Sequence, residues 1–363
     1  MKKGFLTIAL SVGISFGYAQ QPNLPKDYSI VKFCGATEVK SQDNTGTCWS
    51  FSTSSFIESE VLKKTGKHID LSEMFTVRNI YLEKAIKYIR YHGTCNFSQG
   101  SLAHDVFNSY KKYGMMPESA YSGLNGKAKH NHQLLEKELK NYLDSVIKIG
   151  EIDPHWNEGF SVILDKYLGV VNPVFEFDGK SYNARTFADE VLGLDLTDYI
   201  GLTSFLHHPF SQNMVVEVPD NFSDGEYYNV PLNSFQKMVD NALNAGYSIE
   251  WDGDVSEVGF DRKNSFARFY NDTISAKSNM ETPASAELRQ ALFDNYKTTD
   301  DHLMHIVGLV SGPNKEKYYL VKNSWGNKSG FDGYLLMSET YFLMKTVSIY
   351  LNSEAIDEDF DSH

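Results

Sequence analysis

The segment that most constrains the fold places a cysteine at the start of a predicted buried helix. Residues 42–47 are polar and turn-prone, and after Cys48 apolar side chains recur at roughly helical spacing until Gly66. Cys48 is therefore predicted in the first helical turn, where unpaired backbone N–H groups and the helix dipole favour the nucleophilic thiolate. The alternative is that Cys48 is an inert buried cysteine beside Trp49, which is the commoner role for an isolated Cys-Trp pair.

Composition and charge describe a globular protein. The 363 residues are 41% hydrophobic and 13% aromatic, which is enough for two ordinary domains or one large one. The chain has 34 basic and 47 acidic residues and a net charge of −13. This charge argues against nucleic acid or an anionic membrane surface as the main partner.

The N-terminus has the pattern of a secretory signal peptide. Two lysines precede an apolar run from Phe5 to Phe16, and small residues follow as far as Ala19. We expect residues 1–19 to be removed near Ala19, which leaves a periplasmic or secreted protein. The run is shorter than the roughly 20 residues of a membrane-spanning helix, and we expect no stable membrane insertion.

The cysteine count leaves at least one thiol free. The chain contains only Cys34, Cys48 and Cys95, and an odd number cannot pair completely. Cys48 is the best assignment for the free thiol. Whether Cys34 and Cys95 pair is left open by the sequence.

Periodicity predicts helices early in the chain and strands late. Helices are predicted over residues 71–90, 102–113, 134–149 and about 234–245, with a hairpin turn at 175–179. Strands are predicted over residues 306–310, 318–322, 333–337 and 346–351. This order predicts an α+β fold of two packed subdomains with a cleft between them.

Two adjacent histidines are the only arrangement in the middle of the chain that suggests a metal. Adjacent side chains on a strand point to opposite faces, so His207 and His208 are predicted not to share an ion. The sequence predicts no metal site and no cofactor.

Two later segments supply partners for a catalytic cysteine. Asp301-His302 precedes a strand-like run, and Asn323 ends a second predicted strand. A cysteine nucleophile needs an imidazole to exchange protons with it, and the imidazole needs an acceptor that fixes its ring. His302 and His305 are three residues apart, so on a strand they face opposite sides and only one can face Cys48.

These segments together resemble the papain-type cysteine peptidases. Gln42 lies six residues before Cys48, at the offset of that family's oxyanion glutamine, and residues 46–49 resemble its Gly-Ser-Cys-Trp. Residues 301–308 are similar to the family's histidine segment, which selects His302 over His305. The sequence LVKNSWG is similar to its signature around the asparagine, here Asn323.

The resemblance is narrower to the bleomycin hydrolase and aminopeptidase C branch. The segments that carry it are Leu71–Met74, Tyr113–Pro117 and a long insertion with AGYSIEWDGDV. It implies a papain-like fold with a helical part at 20–126, an insertion at 127–283, a β-rich part at 284–351 and an acidic tail at 352–363. It also implies a homo-hexamer whose sites face inward.

The resemblance also implies roles for individual residues. Cys48 is the expected nucleophile, His302 the acid/base and Asn323 its orienting partner. The Gln42 side chain and the Cys48 backbone N–H form the expected oxyanion hole. Trp325 is expected to shield the hydrogen bond between His302 and Asn323.

Substrate-binding residues are expected on both sides of Cys48. They are Gly100, Ser101, Trp49 and Trp325. Gly100-Ser101 stands where the family has Gly-Gly, so a side chain is expected at the second position and could alter the groove.

The expected function is an exported thiol peptidase that cleaves peptide substrates through an acyl-enzyme, most simply an aminopeptidase. In the resembled branch the chain's own C-terminal carboxylate meets the substrate amine. Residues 352–363 could extend roughly 40 Å and return to the cleft. The alternatives are an endopeptidase or amidase on the same scaffold, or a non-catalytic binding relative.

Overall fold

The computed structural model describes residues 21–356. The predicted signal peptide and tail residues 357–363 therefore lie outside the described residues. Within the described range, the helices are α1 (Cys48–Thr65), α2 (Glu73–Arg90), α3 (Ala103–Tyr113), α4 (Gln133–Ile149), α5 (Trp156–Leu168), α6 (Ala184–Phe187), α7 (Leu232–Ala245), α8 (Thr273–Ser278), α9 (Ala286–Asp294) and α10 (Glu339–Lys345). None of these helices is both long enough and apolar enough to cross a bilayer.

The strands of this range include β1 to β7 before residue 254 and β8 to β13 after it. They are β1 (Ser29–Phe33), β2 (Phe175–Phe177), β3 (Lys180–Tyr182), β4 (Tyr199–Thr203), β5 (Gln212–Val215), β6 (Glu226–Asn229), β7 (Ile249–Gly253), β8 (Phe260–Asp261), β9 (Phe266–Ala267), β10 (His302–Ser311), β11 (Lys317–Lys322), β12 (Tyr334–Ser338) and β13 (Thr346–Asn352).

One mixed sheet organises the molecule. Its strand order is β5-β6-β4-β13-β7-β10-β11-β12-β9-β8, and β1 pairs with β10 as well. Strand β10 pairs with β7 along its first half and with β1 along its second half, both antiparallel. Strands β4 to β9, which fall in the predicted insertion, are therefore part of the same sheet as the late strands.

The sheet separates two hydrophobic cores. Leu303 of β10 packs in the core that includes α1, α2 and α3, whereas the next residue, Met304, packs in the core that includes α7 and α10. This alternation is what a strand covered on both faces requires. The predicted α+β fold is confirmed.

Helix α1 is buried along most of its length, and its small residues allow neighbouring strands to pack closely against it. Every residue from Cys48 to Val61 is buried. Serines on the helix let β10 and β7 pack closely, and their hydroxyls find polar partners: Ser52 donates to Glu250 at 3.1 Å and Ser55 lies 2.8 Å from His305 Nδ1. Gly66 adopts a left-handed conformation with φ of 71° and ends the helix where the sequence predicts it.

Several elements differ from the sequence-based expectation. Strand β10 begins at His302 rather than at residue 306, and α10 interrupts the predicted run of late strands. Helix α10 begins at a serine cap, because the Ser338 hydroxyl accepts from the N–H of Tyr341 at 3.0 Å. The strands between residues 199 and 267, β4 to β9, are absent from the sequence-based prediction.

Candidate active site

Cys48 lies at the first residue of α1, next to the first residues of β10. Its side chain is 8% exposed. The backbone N–H groups of Leu303 and Trp49 hydrogen-bond the thiol. Since Leu303 directly follows His302 in the chain, the helix start and the strand start bring Cys48 and His302 to the same place.

His302 and Asn323 are directly hydrogen-bonded. His302 Nε2 lies 2.8 Å from Asn323 Oδ1, and both side chains are buried. The other ring nitrogen, Nδ1, is therefore left for a proton transfer. The position of Asn323 is fixed by its neighbours: its N–H donates to Gly333 O at 3.1 Å and its side-chain oxygen accepts from Ser324 N at 2.7 Å.

Trp325 covers the pair formed by His302 and Asn323. Its ring stacks on His302 with a centroid separation of 4.9 Å and an interplanar angle of 27°. The guanidinium of Arg262 lies 4.8 Å from the Trp325 ring centroid. Such a cover keeps water from competing for the hydrogen bond between His302 and Asn323.

Gln42 is held between the helix start and the asparagine segment. Its side-chain oxygen accepts from the Ser324 hydroxyl at 2.6 Å, and its Nε2 donates to Thr45 O at 2.7 Å. A side-chain amide has two N–H groups, so one remains for an oxyanion. Ser324 thus links the predicted oxyanion residue Gln42 to Asn323, a link that the sequence does not suggest.

Burial dominates the ionisation of both reacting groups. It raises the pKa of the Cys48 thiol to about 12, although the N–H groups of Leu303 and Trp49 act in the opposite direction. Burial also lowers the pKa of His302 to about 4, against the hydrogen bond with Asn323. The prediction that the helix start lowers the Cys48 pKa is therefore wrong when Cys48 ionises alone. The loss of hydration raises the pKa by more than the backbone N–H groups at the helix start lower it.

Proton transfer within the pair is a different process from ionisation of either group alone. Moving the proton from Cys48 to His302 creates the thiolate and the imidazolium together, and their attraction at short range offsets part of the cost of burial. The arrangement can thus deliver a thiolate at the moment of attack on a carbonyl. It can then return the proton to a leaving amine.

His305 occupies a separate environment. Its Nδ1 lies 2.8 Å from the Ser55 hydroxyl, and the residue is 1% exposed between α1 and the sheet. His302 instead faces Trp325, so the two histidines lie on opposite faces of β10 as the odd spacing predicts. Burial lowers the pKa of His305 well below its usual range, with the Lys322 charge acting in the same direction.

Ser101 is buried and bonded to α3. It is 1% exposed, and its hydroxyl donates to Asp105 Oδ2 at 2.6 Å at the start of α3. Its expected effect on the binding groove stays a prediction. The side chain that does lie against this stretch belongs to Asp220, because a Cβ added at Gly100 would overlap the Asp220 carboxylate.

Asp220 belongs to a segment that we call the capping loop, residues 216–225. Asn221 holds the loop together, since its Nδ2 donates to Val216 O at 2.8 Å and to Gly225 O at 2.9 Å. Ser223 donates to Asp105 Oδ1 at 2.6 Å, and this bond attaches the loop to α3. No local motif in the sequence marks this loop, and Gly100, which leaves room for Asp220, is the only sequence signal.

Gln99 organises the segment before Cys48. Its side-chain oxygen accepts from Gly46 N at 2.7 Å, and its backbone oxygen accepts from the Trp49 indole N–H at 2.9 Å. Trp49 is 1% exposed and anchors α1 through this bond, and its predicted contact with substrate stays a prediction. Sequence reasoning missed Gln99 because it lies far from Cys48 along the chain.

Cys34 and Cys95 are both free thiols in this structure, as is Cys48. The Cys34 sulfur lies 3.4 Å from Tyr247 O and packs against the core that includes α7. Burial raises the pKa of Cys34 to about 12.

His207 and His208 do not lie on a strand. They fall in a turn after β4, and both rings face Glu217. The prediction that the two side chains point to opposite faces is therefore wrong, since that rule holds only for extended backbone.

The last described residues lie far from Cys48 along α1. The Glu354 carboxylate accepts from the Tyr247 hydroxyl at 2.7 Å, and Asn352 donates to Glu60 near the end of the helix at 2.8 Å. Glu60 is roughly 18 Å from Cys48 along the helix axis. The predicted return of the tail to the cleft concerns residues outside the described range.

Comparisons with known proteins identify the family. A sequence model of the Peptidase C1-like family matches residues 176–362, and one of the papain family cysteine proteases matches residues 24–152. Aminopeptidase C of Lactobacillus delbrueckii subsp. lactis is 24% identical over 365 residues, covering 88% of this chain and 80% of the relative. Aminopeptidase C of Streptococcus thermophilus is 22% identical, covering 87% and 80% respectively.

A solved structure has the same fold. PepW from Lactobacillus rhamnosis superposes with a TM-score of 0.73 at 18% identity, covering 92% of this chain and 83% of that one. The fold and the family matches define a papain-like cysteine-type peptidase. The chain belongs to the Peptidase C1-like family, whose model matches slightly more than half of its length. The resemblance predicted from sequence is confirmed.

Proposed function

We propose that this peptidase removes residues from the amino end of peptides through a Cys48-His302-Asn323 triad. The observation that carries the triad is the hydrogen bond of 2.8 Å between His302 and Asn323 beside the start of α1. Two relatives that match this chain over 80% of their own length are named aminopeptidases. Their names support the exopeptidase assignment.

In the proposed reaction, the Cys48 sulfur attacks the substrate carbonyl carbon as its proton moves to His302. The oxyanion accepts hydrogen bonds from the Gln42 side chain and the Cys48 backbone N–H. His302 then gives its proton to the leaving amine as the C–N bond breaks, which leaves a thioester on Cys48. Water attacks the thioester with His302 as base, and the acid product and free thiol are released.

The capping loop supports cleavage near a free amino end. Asp220 covers Gly100, and its negative charge lies close enough to Cys48 to raise the pKa of the thiol. Asp300 acts on Cys48 in the same way. Once a carbonyl is bound at the Cys48 sulfur, the α-ammonium is only two bonds from that carbon, within reach of such carboxylates.

One cation lies near these carboxylates: the Lys84 charge acts against the burial of Asp220, but its Nζ donates to the backbone oxygens of Ser98 at 3.1 Å and of Gly100. Burial raises the pKa of Asp220, and burial together with Asp252 and Asp220 raises the pKa of Asp300 well above its usual range. The Asp220 side chain accepts only long bonds, from Ser98 at 3.3 Å and Asn96 at 3.4 Å. A substrate ammonium would therefore relieve repulsion in this part of the cleft.

The test compares a free-amino and an N-acetylated fluorogenic amide of the same amino acid. We expect Asp220→Asn to lower kcat/KM for the free-amino substrate by about 10- to 100-fold, the value of a hydrogen bond to a charged group. The matched control is Asp224→Asn, because Asp224 lies in the same loop but pairs with Lys87 at 2.8 Å on the surface.

A second variant, which ends at residue 356, tests whether the C-terminal tail supplies the carboxylate that binds the substrate amine. If the tail binds the substrate amine, this variant loses selectivity for the free-amino substrate and Asp220→Asn retains it. Equal cleavage of both substrates by the intact protein would contradict the aminopeptidase assignment and favour an endopeptidase. Turnover of non-peptide amides alone would favour an amidase.

We also propose that the protein is exported and loses residues 1–19, as the N-terminal pattern indicates. Amino-terminal sequencing of protein from the native cell envelope or medium tests this, and an N-terminus at Met1 would contradict it. A sizing measurement on the same sample tests the hexamer that the resemblance implies.

A further inference from the structure

Two imidazole rings and one carboxylate come together on the surface beside α9. His207 Nε2 lies 3.1 Å from Glu217 Oε2, and His208 Nε2 lies 3.5 Å from Glu217 Oε1. Each of the three residues offers a ligand atom within 4.8 Å of the others. We propose that His207, His208 and Glu217 form a binding site for a divalent transition-metal ion of the zinc class.

The spacing of the ligand atoms fits a tetrahedral ion. Zinc bonds of about 2.0–2.2 Å place neighbouring ligand atoms roughly 3.3–3.5 Å apart. The two imidazoles lie 3.1 Å and 3.5 Å from the two oxygens of Glu217, which is close to that separation, and the three ligand atoms lie within 4.8 Å of one another. Because Glu217 is exposed, a water molecule has room at the fourth position.

The ligand chemistry selects the class of ion. Neutral imidazole nitrogens suit Zn²⁺, Ni²⁺ and Cu²⁺, whereas Mg²⁺ and Ca²⁺ prefer oxygen ligands. Two imidazoles and a carboxylate with an open fourth position are a known donor set for zinc.

Asn229 holds the backbone of the turn that contains the two histidines. Its side-chain nitrogen donates to Phe205 O at 2.8 Å and to His208 O at 3.0 Å, and its side-chain oxygen accepts from Phe205 N at 2.8 Å. Asn229 is fully buried at the end of β6. The turn is therefore ordered before any ion binds, which lowers the entropy cost of binding.

The His207 ring is fixed as well. It stacks on Phe293 of α9 with an interplanar angle of 13°. Its Nδ1 lies within hydrogen-bond distance of the Gln290 side-chain amide, 2.9 Å from Nε2 and 3.2 Å from Oε1. The amide can hold either ring tautomer. In the one that binds a metal, Nδ1–H donates to Oε1 and the Nε2 lone pair faces Glu217, which is how metal-binding histidines commonly use their second ring nitrogen.

A surface ion pair is the simpler explanation for a histidine beside a glutamate. His155 and Glu158 form such a pair at 3.0 Å, with a single imidazole on the carboxylate. The site at Glu217 differs because two imidazoles present Nε2 to one carboxylate. His155 therefore supplies a matched control.

An ion at this site would join two parts of the chain. His207 and His208 lie between β4 and β5, and Glu217 lies in the capping loop after β5. Since the unfolded chain does not hold the three ligands together, the ion binds the native state and raises Tm.

The experiment titrates ZnCl₂ into the full chain by calorimetry at pH 7.5. All variants carry Cys48→Ala so that the active-site thiol cannot bind the metal, and no histidine tag is present. We expect one equivalent of Zn²⁺ to bind and to raise Tm. His208→Ala and Glu217→Gln should each weaken Zn²⁺ binding at least about tenfold. Loss of a residue that hydrogen-bonds a metal ligand already costs about that much affinity, and loss of the ligand itself should cost no less.

The control His155→Ala should bind as tightly as the parent. His208→Gln, which keeps a polar side chain in the turn, should weaken binding as His208→Ala does, and circular dichroism checks that each variant is folded. Failure of the parent to bind Zn²⁺ would overturn the proposal. Stoichiometric binding that survives in His207→Ala/His208→Ala would also overturn it.

Discussion

Two buried polar regions lie along the same helix, and each contains a histidine of β10. At the start of α1, His302 has one ring nitrogen bonded to Asn323, and Leu303 brings the strand to Cys48. Further along α1, Ser55 bonds His305, and Lys322 donates to Ser55 at 2.7 Å. We call this second region the polar layer, made up of Thr37, Ser52, Ser55, Glu250, His305 and Lys322.

The two regions differ in whether a proton stays between protein groups or can pass to a substrate. In the polar layer each cation and hydroxyl donates to another protein group, and Lys322 also reaches Thr37 at 3.0 Å. At the helix start, in the mechanism that we propose, the proton of Cys48 moves to His302 and on to a substrate amine. A buried titratable residue is therefore not by itself a sign of catalysis. What distinguishes the active site is that one side of the pair is left for the substrate.

The largest expected effect comes from the nucleophile itself. Cys48→Ala should reduce turnover by at least about 10⁴-fold, because no other group can form the thioester. Cys34→Ser and Cys95→Ser should keep most of the activity, since neither thiol lies at a helix start. Steady-state assays on the three variants measure this. Equal losses in all three would remove the distinction between Cys48 and the other thiols.

The next effect separates the two histidines. His302→Ala should lower kcat by about 10²- to 10⁴-fold, the usual contribution of a general acid–base residue. Its effect on unfolding free energy should be the smaller of the two, because Asn323 Oδ1 still accepts from Ser324 N at 2.7 Å. His305→Ala should instead cost about 1–3 kcal/mol of unfolding free energy, because it leaves buried partners unpaired, and should retain most of kcat. Denaturant unfolding and kinetics on both variants are required. The reverse pattern would mean that the roles of the two regions are exchanged.

A smaller effect is expected at the oxyanion residue. Gln42→Ala should lower kcat by about 10²- to 10³-fold, the typical value of one oxyanion donor. Alkylation of Cys48 by iodoacetamide should change little, since Gln42 is not part of the proton transfer. Unchanged kcat in a folded variant would mean that Gln42 only connects Thr45 and Ser324 and does not stabilise the oxyanion.

The smallest effect is a pH dependence of stability that belongs to the polar layer. Burial holds the pKa of His305 well below its usual range, so below about pH 6.5 the unfolded chain takes up a proton that the folded chain does not. The unfolding free energy should therefore fall as the pH drops from 6.5, by up to about 1.4 kcal/mol per pH unit for this group. His305→Gln should lessen that slope between pH 5 and 6.5, as measured by urea denaturation. An unchanged slope would mean that His305 is not held neutral.

Local signals explain what could be predicted from the sequence. The start of α1 at Cys48 and its end at Gly66 depend on neighbouring residues only. The bond between His302 and Asn323 follows from two motifs in strands that pair directly, β10 and β11. Such features leave a mark within a few residues of the chain.

The remaining features depend on contacts between distant segments. Asp220 meets Gly100 across 120 positions of sequence, and the turn at His207 is held by Asn229. The pKa of Cys48 is set by burial, which the helix pattern does not reveal. Strands β4 to β9 are short, and β4, β7 and β9 join the sheet through the late strands β13, β10 and β12, so their local pattern is weak.

The central claim is that Cys48 and His302 act as one nucleophilic pair through a covalent intermediate. The most direct test mixes the enzyme with a free-amino amino-acid p-nitrophenyl ester, quenches in acid within one turnover, and measures the intact mass and the modified peptide. We predict a mass increase of one aminoacyl group on Cys48 that disappears as product accumulates, and a much slower increase in His302→Ala. Product formation with no adduct on Cys48 at any time, or an adduct on another residue, would contradict the account.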